Sequence, residues 1–262
     1  MPKLPSADFL HRLADIADRE TLPRFRTDLA VESKTGEGYF DPVTEADREA
    51  EIAIRAAIDA EYPDHAILGE EFGLTGSGSC RWVLDPVDGT RPFICGLPVW
   101  GTLIGLTVDG RAEQGMMSQP FTRERFWATA DGAWYEHAGR RQRLSTRDVG
   151  TLSRAILHTT SPDRHYHGEL KQGFDRLAAS VRMTRYGGDC YAMAMLAAGR
   201  IDLAVEPSLQ PYDIVALIPI IEKAGGVVTR IDGGLAEDGG PVLASATAGL
   251  HAQALHLLNS GG

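Results

Sequence analysis

Near the start of the chain, apolar residues recur at helical spacing. Phe9, Leu13, Ile16 and Ala17 fall on one face, and Ser6 stands where an N-cap belongs. Gly36-Glu37-Gly38-Tyr39 reads as a loop. A second helix is predicted after Asp41-Pro42-Val43-Thr44, with Ile52, Ala56 and Ala57 on its apolar side. The pattern then changes to short apolar runs. His65-Ala66-Ile67-Leu68 and Trp82-Val83-Leu84 read as strands, and residues 73–78 between them read as a glycine-rich loop. Residues 102–108 and 112–117 form a predicted hairpin across Asp109-Gly110, and residues 125–130 and 133–135 form another across Asp131-Gly132. The first part of the chain is therefore helices followed by a largely antiparallel sheet.

From about residue 150 the elements alternate. Strands are expected at 155–159, 181–184, 201–205, 227–230 and 242–244. Helices are expected at 163–179, 190–198, 214–224 and 250–258, with Gly199 as the C′ residue of the second. Such alternation is α/β in character. Pro219 lies inside a predicted helix and should kink it or cost it a hydrogen bond. There is no fixed-period repeat, and no Pro/Gly/Ser-rich linker separates the halves.

Composition narrows the class. The chain has 262 residues, 43% hydrophobic and 24% charged, which is ordinary for a globular protein. A chain of this size buries roughly 75% of its unfolded surface, so its core needs no disulfide or structural metal. Cys80, Cys95 and Cys190 stand far apart with no C-x-x-C, which excludes a zinc ribbon and a secreted disulfide scaffold. They read as core fillers in a reducing cytoplasm. The first residues lack the basic-then-apolar pattern of a signal peptide, and no run of about 18 apolar residues predicts a membrane span. A net charge of −10 argues against nucleic-acid binding. It leaves room for a small phosphorylated substrate, because metal cations can reverse the sign of a local site.

The informative residues are acidic and stand at element ends. Asp85 and Asp88 flank Pro86-Val87 directly after an apolar strand. Pro86 stiffens the turn, Gly89 permits close approach of a ligand, and Thr90 adds a hydroxyl and an N–H. Two carboxylates and an outward carbonyl form an oxygen-only ligand set of the kind that suits Mg²⁺. Glu70, after another strand, and Asp213, at a helix start, can add a third and a fourth carboxylate. Each residue also has a plainer reading. The Asp-x-x-Asp turn can be a solvated loop, Asp213 an N-cap or a charge against the helix dipole, and Asp47, three after Thr44, part of a capping box. One of Glu70 and Glu71 can be simple surface charge.

Other motifs are absent. There is no Walker loop, Gly76-Ser77-Gly78 lacks the remaining glycine of a dinucleotide fingerprint, and no G-x-S-x-G occurs. His165-Tyr166-His167 has metal-like spacing but no companion cysteine, and reads as a loop feature. Met193 and Met195 read as core packing.

Together these pieces resemble the inositol monophosphatase superfamily. Trp82-Val83-Leu84-Asp85-Pro86-Val87-Asp88-Gly89-Thr90 matches its strand-D-P-[ILV]-D-G-T signature. Gly69-Glu70-Glu71 matches its G-E-E, Thr44-Glu45-Ala46-Asp47 its T-x-x-D, and Tyr212-Asp213 to Gly225-Gly226 its second signature. The resemblance covers nearly the whole chain. It implies a layered αβαβα sandwich combining α+β and α/β character. The N-terminal half, 1–148, would carry most metal-binding motifs. The C-terminal half, 149–262, would carry substrate contacts and the last metal ligand. The resemblance also implies two or three Mg²⁺ ions and usually a homodimer. Glu70, Asp85 and the Val87 carbonyl would hold one ion, and Asp85, Asp88 and Asp213 a second. Glu70 would also reach a third, weaker one. Thr90 with Asp47 would orient and deprotonate the attacking water, and the N–H groups of Gly89 and Thr90 would bind phosphate.

Departures from the commonest pattern point to a subfamily. Gly69-Glu70-Glu71-Phe72-Gly73, the run from Gly89 to Pro98, Tyr186-Gly187-Gly188-Asp189-Cys190-Tyr191 and Pro211-Tyr212-Asp213 look like the histidinol-phosphate phosphatases, which act in histidine biosynthesis. Asp189 and Glu206 match substrate-contacting stretches, where a carboxylate would meet the substrate ammonium. For Asp189 the plainer reading is a helix N-cap. Three functions follow: a histidinol-phosphate phosphatase, a broader phosphatase of inositol or sugar monophosphates, or a regulatory binding protein that kept the fold. The intact acidic set disfavours the last.

Overall fold

A computed structural model describes residues 4–28, 32–33, 42–163 and 165–260. The loop expected at 36–39 lies outside them. In chain order the first half runs α1 (Ala7–Thr21), β1 (Glu32–Ser33), β2 (Pro42–Val43), α2 (Glu45–Glu61), β3 (Ala66–Gly69), β4 (Gly73–Thr75), β5 (Cys80–Asp88), α3 (Thr90–Ile94), β6 (Gly101–Val108), β7 (Arg111–Gln119), β8 (Glu124–Thr129), β9 (Gly132–His137) and β10 (Arg140–Arg143). It continues with β11 (Ile156–Thr159), α4 (Gly168–Ser180), β12 (Met183–Tyr186), α5 (Asp189–Ala197), β13 (Leu203–Leu209), α6 (Pro211–Ile214), α7 (Leu217–Lys223), β14 (Val227–Arg230), β15 (Gly240–Ser245) and α8 (Ala248–Asn259).

Two sheets organise these elements. The first has eight strands in the order β10-β9-β8-β7-β6-β5-β3-β4, antiparallel except for the β3–β5 pair. The second has five, β12-β11-β13-β15-β14, with β11 parallel to both its neighbours. The apolar side chains divide into layers. Phe9, Leu13 and Ala17 of α1, with Ala50, Ile54 and Ile58 of α2, pack on Trp82, Leu84, Ile104 and Trp127 of the first sheet. Between the sheets, Met193 and Leu196 of α5 and Leu217, Ile220 and Ile221 of α7 meet Leu103, Met117 and Phe126 on one side and Ala204, Val242 and Ala244 on the other. Phe174 of α4 and Leu250, Ala254 and Leu258 of α8 close the far face of the second sheet. The result is the αβαβα sandwich that the resemblance implied. Among the described residues no helix is long and apolar enough to cross a membrane.

The local signals hold where they rest on short-range geometry. Ser6 Oγ accepts from Phe9 N at 3.2 Å and caps α1. Both hairpins form, the first across Asp109-Gly110 as expected and the second one residue earlier than expected, across Ala130-Asp131, with Gly132 already paired to Thr129, and Gly199 takes a left-handed φ of +69° after α5. Several expectations fail. The buried face of α2 is Ala50, Ile54 and Ile58, while Ile52 is 48% exposed and Ala56 is exposed too. Two stripes at helical spacing exist on this alanine-rich helix, and only contact with the sheet chooses between them. Residues 73–75, expected as loop, form edge strand β4, and β10 forms the opposite edge where the pattern predicts no strand. Helix α4 starts at residue 168 rather than 163, because His165 takes a φ of +62°, which a helix does not admit. Cys80 and Cys190 are buried as expected; Cys95 is exposed and fills no core.

Pro219 explains a break. The helix expected at 214–224 is divided into α6 and α7 by a turn at Val215–Ala216. Proline lacks an N–H, and its ring collides with the carbonyl four residues earlier, here that of Val215. The broken turn lies on two glycines of the first sheet. A Cβ on Gly115 would fall 1.9 Å from the Ala216 carbonyl oxygen, and one on Gly105 would fall 2.7 Å from Val215 Cγ1. This close approach brings the start of α6, with Asp213, over the first sheet.

Candidate active site

The acidic turn is built by a break in strand pairing. β5 pairs with β6 through Asp85↔Leu103, and next through Asp88↔Gly101, so β5 spends one extra residue. Such a bulge re-aims side chains at the end of a strand. Here Asp85 is buried and Asp88 half-buried. Asp85 Oδ1 accepts from Val87 N at 3.0 Å, and Thr102 Oγ1 donates to the Pro86 carbonyl at 2.8 Å, so the turn is held from both sides. Gly89 follows at φ +83°, a left-handed conformation that a side chain would strain. A Cβ there would also come within 3.2 Å of Trp100 Cα and 3.3 Å of Asp189 Cβ. Thr90 opens α3 and its hydroxyl donates to the Val87 carbonyl at 3.2 Å.

Glu70 follows β3, where its N–H donates to the Leu84 carbonyl at 3.1 Å and extends the parallel pairing with β5. Asp213 is the third residue of α6. Its Oδ2 accepts from Gln210 N at 2.7 Å in a capping box, so the plainer reading of this residue is realised as well. One carboxylate oxygen from each of Asp85, Asp88 and Asp213 lies within 4.8 Å of the others. Burial raises the Asp85 pKa well above the ordinary range, and the charges of Glu70, Asp88 and Asp213 raise it further. Asp88 is pushed up to about 7, first by burial and then by the charge of Asp189, against the hydrogen bonds it receives from Cys190. Carboxylates gathered at a buried and partly buried turn, repelling one another and offering only oxygen ligands, fit a hard divalent cation.

Two more carboxylates reach the same cavity. Asp189 is the first residue of α5, but the N-cap position is held by Gly188 and no side chain caps that helix. The cap expected as its plainer role is therefore not what Asp189 does. Its φ is +42°, a strained value for a residue with a side chain. Burial lifts its pKa to about 6, opposed by the Arg91 guanidinium. Glu206, on β13, is buried; its Oε1 accepts from Thr160 N at 2.8 Å and from Thr160 Oγ1 at 2.9 Å. Burial raises its pKa to about 8 despite those bonds.

A cavity of about 510 Å³ is lined by Glu70, Asp85, Val87, Asp88, Gly89, Thr90, Asp189, Glu206 and Asp213, all drawn from the sequence reading. Asp47 is not part of that lining. It is buried at the start of α2, where Oδ2 accepts from Thr44 N at 2.9 Å and from the Thr44 hydroxyl at 2.6 Å in a capping box. Its neighbour Ala46 packs with Val87, so the start of α2 abuts the acidic turn.

Sequence reasoning missed Arg91, Thr160, Ser161 and His165, which also line the cavity. A signal existed for Thr160. It follows β11, which runs parallel to β13, and parallel neighbours open at the same sheet edge. His165, read as a loop feature, is in a loop. Its neighbour Tyr166 is buried, and the Tyr166 hydroxyl donates to the Val205 carbonyl at 3.0 Å.

The profile of the inositol monophosphatase family matches residues 5–260. The chain belongs to the inositol monophosphatase family. It is 38% identical to the histidinol-phosphatase of Streptomyces coelicolor over 95% of each chain. It is 41% identical to the bifunctional phosphatase IMPL2 of Arabidopsis thaliana over 83% of its own length, spanning 62% of that plant protein. An inositol monophosphatase from Zymomonas mobilis superposes with a TM-score of 0.84 at 38% identity, covering 97% of this chain and 99% of the other. This family member is a phosphatase.

Proposed function

We propose that the chain is a Mg²⁺-dependent histidinol-phosphate phosphatase, converting histidinol phosphate and water to histidinol and phosphate in histidine biosynthesis. The carrying observation is that two further carboxylates, half-buried Asp189 and buried Glu206, share one cavity with the acidic turn, and Asp189 has no capping duty there. The 38% identity to the Streptomyces enzyme supports the same substrate.

Glu70, Asp85 and the Val87 carbonyl would hold one ion, Asp85, Asp88 and Asp213 a second, and Glu70 would reach a weaker third. Bound Mg²⁺ lowers the pKa of a water and stabilises the charge on the leaving oxygen. The protein's own groups do the rest. Thr90 and Asp47 orient the attacking water and take its proton. The N–H groups of Gly89 and Thr90 hold phosphate oxygens, with Gly89 free of a side chain that would block them. Asp189 or Glu206 meets the substrate ammonium in a charge-assisted hydrogen bond of about 1.5–3 kcal/mol. The site thus draws on both proposed halves, 1–148 and 149–262. A homodimer in the cytoplasm completes the reading.

A second reading is an inositol or sugar monophosphatase, favoured by the likeness to the Zymomonas protein, since carboxylates also bind hydroxyls. Comparing kcat/KM across a panel of phosphomonoesters separates the two. Histidinol phosphate should exceed inositol 1-phosphate by at least about tenfold, equivalent to about 1.4 kcal/mol of transition-state binding. The assay belongs above pH 7, where the substrate imidazole is mostly neutral. If inositol 1-phosphate is the better substrate, the substrate assignment falls while the metal site stands.

A further inference from the structure

The turn that carries Glu70 is built around a carboxylate that no motif pointed to. Glu51, on α2, is fully buried. Its Oε2 accepts from Glu71 N at 2.8 Å and its Oε1 from Phe72 N at 3.3 Å. Arg55, one helical turn later, donates from Nε to Glu51 Oε1 at 2.7 Å. The same guanidinium donates to the Gly73 carbonyl at 2.5 Å and to Thr75 Oγ1 at 2.9 Å. A Cβ at position 69 would lie 1.9 Å from Glu51 Oε1. The glycine of Gly69-Glu70-Glu71 is therefore required because the Glu51 carboxylate occupies the space of its side chain.

Every residue from 69 to 73 except Glu70 is thus tied or shaped by this pair, and Glu70 is the one whose side chain lines the cavity. A buried ion pair is weak evidence for net stability, since apolar packing does as well. What the pair adds here is directional: two N–H groups and one carbonyl are held at set positions from a rigid helix. The same helix carries Asp47 one turn before Glu51, so residues proposed for water activation and for metal binding share one support.

We propose that Glu51, seated by Arg55, is a positioning residue that holds Glu70 at the metal-binding end of the cavity. The proposal rests on the metal-dependent reading of the site. The test uses the full-length chain and its E51Q, R55Q and double variants. Mg²⁺ affinity is measured by calorimetric titration, and thermal midpoints are recorded with and without Mg²⁺. E51Q should bind Mg²⁺ about tenfold more weakly, and excess Mg²⁺ should restore much of its kcat. R55Q should move the same way by less, and the double variant should be no worse than E51Q, as for groups acting as a unit. A lower metal-free midpoint with Mg²⁺ affinity within twofold of the unaltered protein would show a merely structural role and overturn the proposal. If E51Q does not fold, R55Q, which leaves the carboxylate on the Glu71 N–H, is judged by the same criteria. Failure of the unaltered protein to bind Mg²⁺ overturns the metal reading and this proposal together; normal binding by the folded variants overturns this proposal alone.

Discussion

The backbone N–H of Cys190 donates to Asp88 Oδ2 at 2.8 Å, joining residues 102 positions apart. The bond ties α5 to the acidic turn at the end of β5. One Asp88 oxygen also lies within 4.8 Å of oxygens of Asp85 and Asp213. Asp88→Asn keeps an acceptor for Cys190 while removing the charge. The variant should fold and lose about 10³-fold or more in kcat, along with most of its thermal stabilisation by Mg²⁺. Near-normal turnover in this variant, or activity that survives dialysis against EDTA, would dismiss the two-metal mechanism.

Thr90 and Asp47 should behave as a unit. Thr90→Ser keeps the hydroxyl and should retain much activity, whereas Thr90→Ala should lose roughly 10²–10⁴-fold. Asp47→Asn should match Thr90→Ala, and the double variant should be little worse than either. Asp47 also caps α2 through Thr44, and Asn keeps an oxygen acceptor there, so Asp47→Asn should lose some stability but remain folded. Loss of stability with additive kinetic losses would reduce Asp47 to a cap. A trapped phosphoenzyme would rule out direct attack by water.

Asp189→Asn should weaken histidinol phosphate selectively. Its pKa of about 6 leaves the side chain mostly ionised above pH 7, so the variant removes a charge that an ammonium would use. A small phosphoester without an amine should be hydrolysed about as before. Steady-state kinetics on both substrates decides the matter: equal losses would make Asp189 a structural residue.

Acid should destabilise the fold partly through histidine. His251 is buried against Ser245 and Thr229, at 2.9 Å from each hydroxyl, and burial pulls its pKa down to about 4. His158 is likewise pulled down to about 4, by burial and by Arg185. An unfolded histidine takes up a proton near pH 6.5, so between about pH 6.5 and 4 the unfolded chain binds more protons and stability falls as pH falls. Glu206 and Asp88, with raised pKa values, act in the opposite direction, so the difference between proteins is the useful quantity. Urea midpoints measured from pH 7 to pH 4.5 should fall less steeply in H251Q than in the unaltered chain. Parallel slopes would contradict the assignment.

The chemistry of this protein was legible in sequence wherever it is local. Within Asp85-Pro86-Val87-Asp88 the Asp85 carboxylate accepts from Val87 N, Ser6 and Thr44 cap the helices that follow them, and Asp109-Gly110 closes its hairpin. In each case, short-range stereochemistry and hydrogen bonds within a few residues suffice to specify the geometry. Glu70 and Asp213 stand out in sequence as carboxylates at element ends, but only the family resemblance ties them to that turn; nothing in their own neighbourhoods requires it.

Tertiary structure decided what depends on partners far away in the chain. It chose the Ala50–Ile54–Ile58 face of α2 over the Ile52–Ala56 face, because burial against Trp82 and Leu84 favours one stripe and propensity favours neither. Pro219 could announce a break, but only the bare backbones of Gly105 and Gly115 let that break approach closely and bring Asp213 over the sheet. Likewise, the glycine before Glu70 looks like simple turn chemistry in the sequence. In the fold its missing side chain is the space taken by Glu51, eighteen residues earlier, because a close-packed interior leaves no room for both.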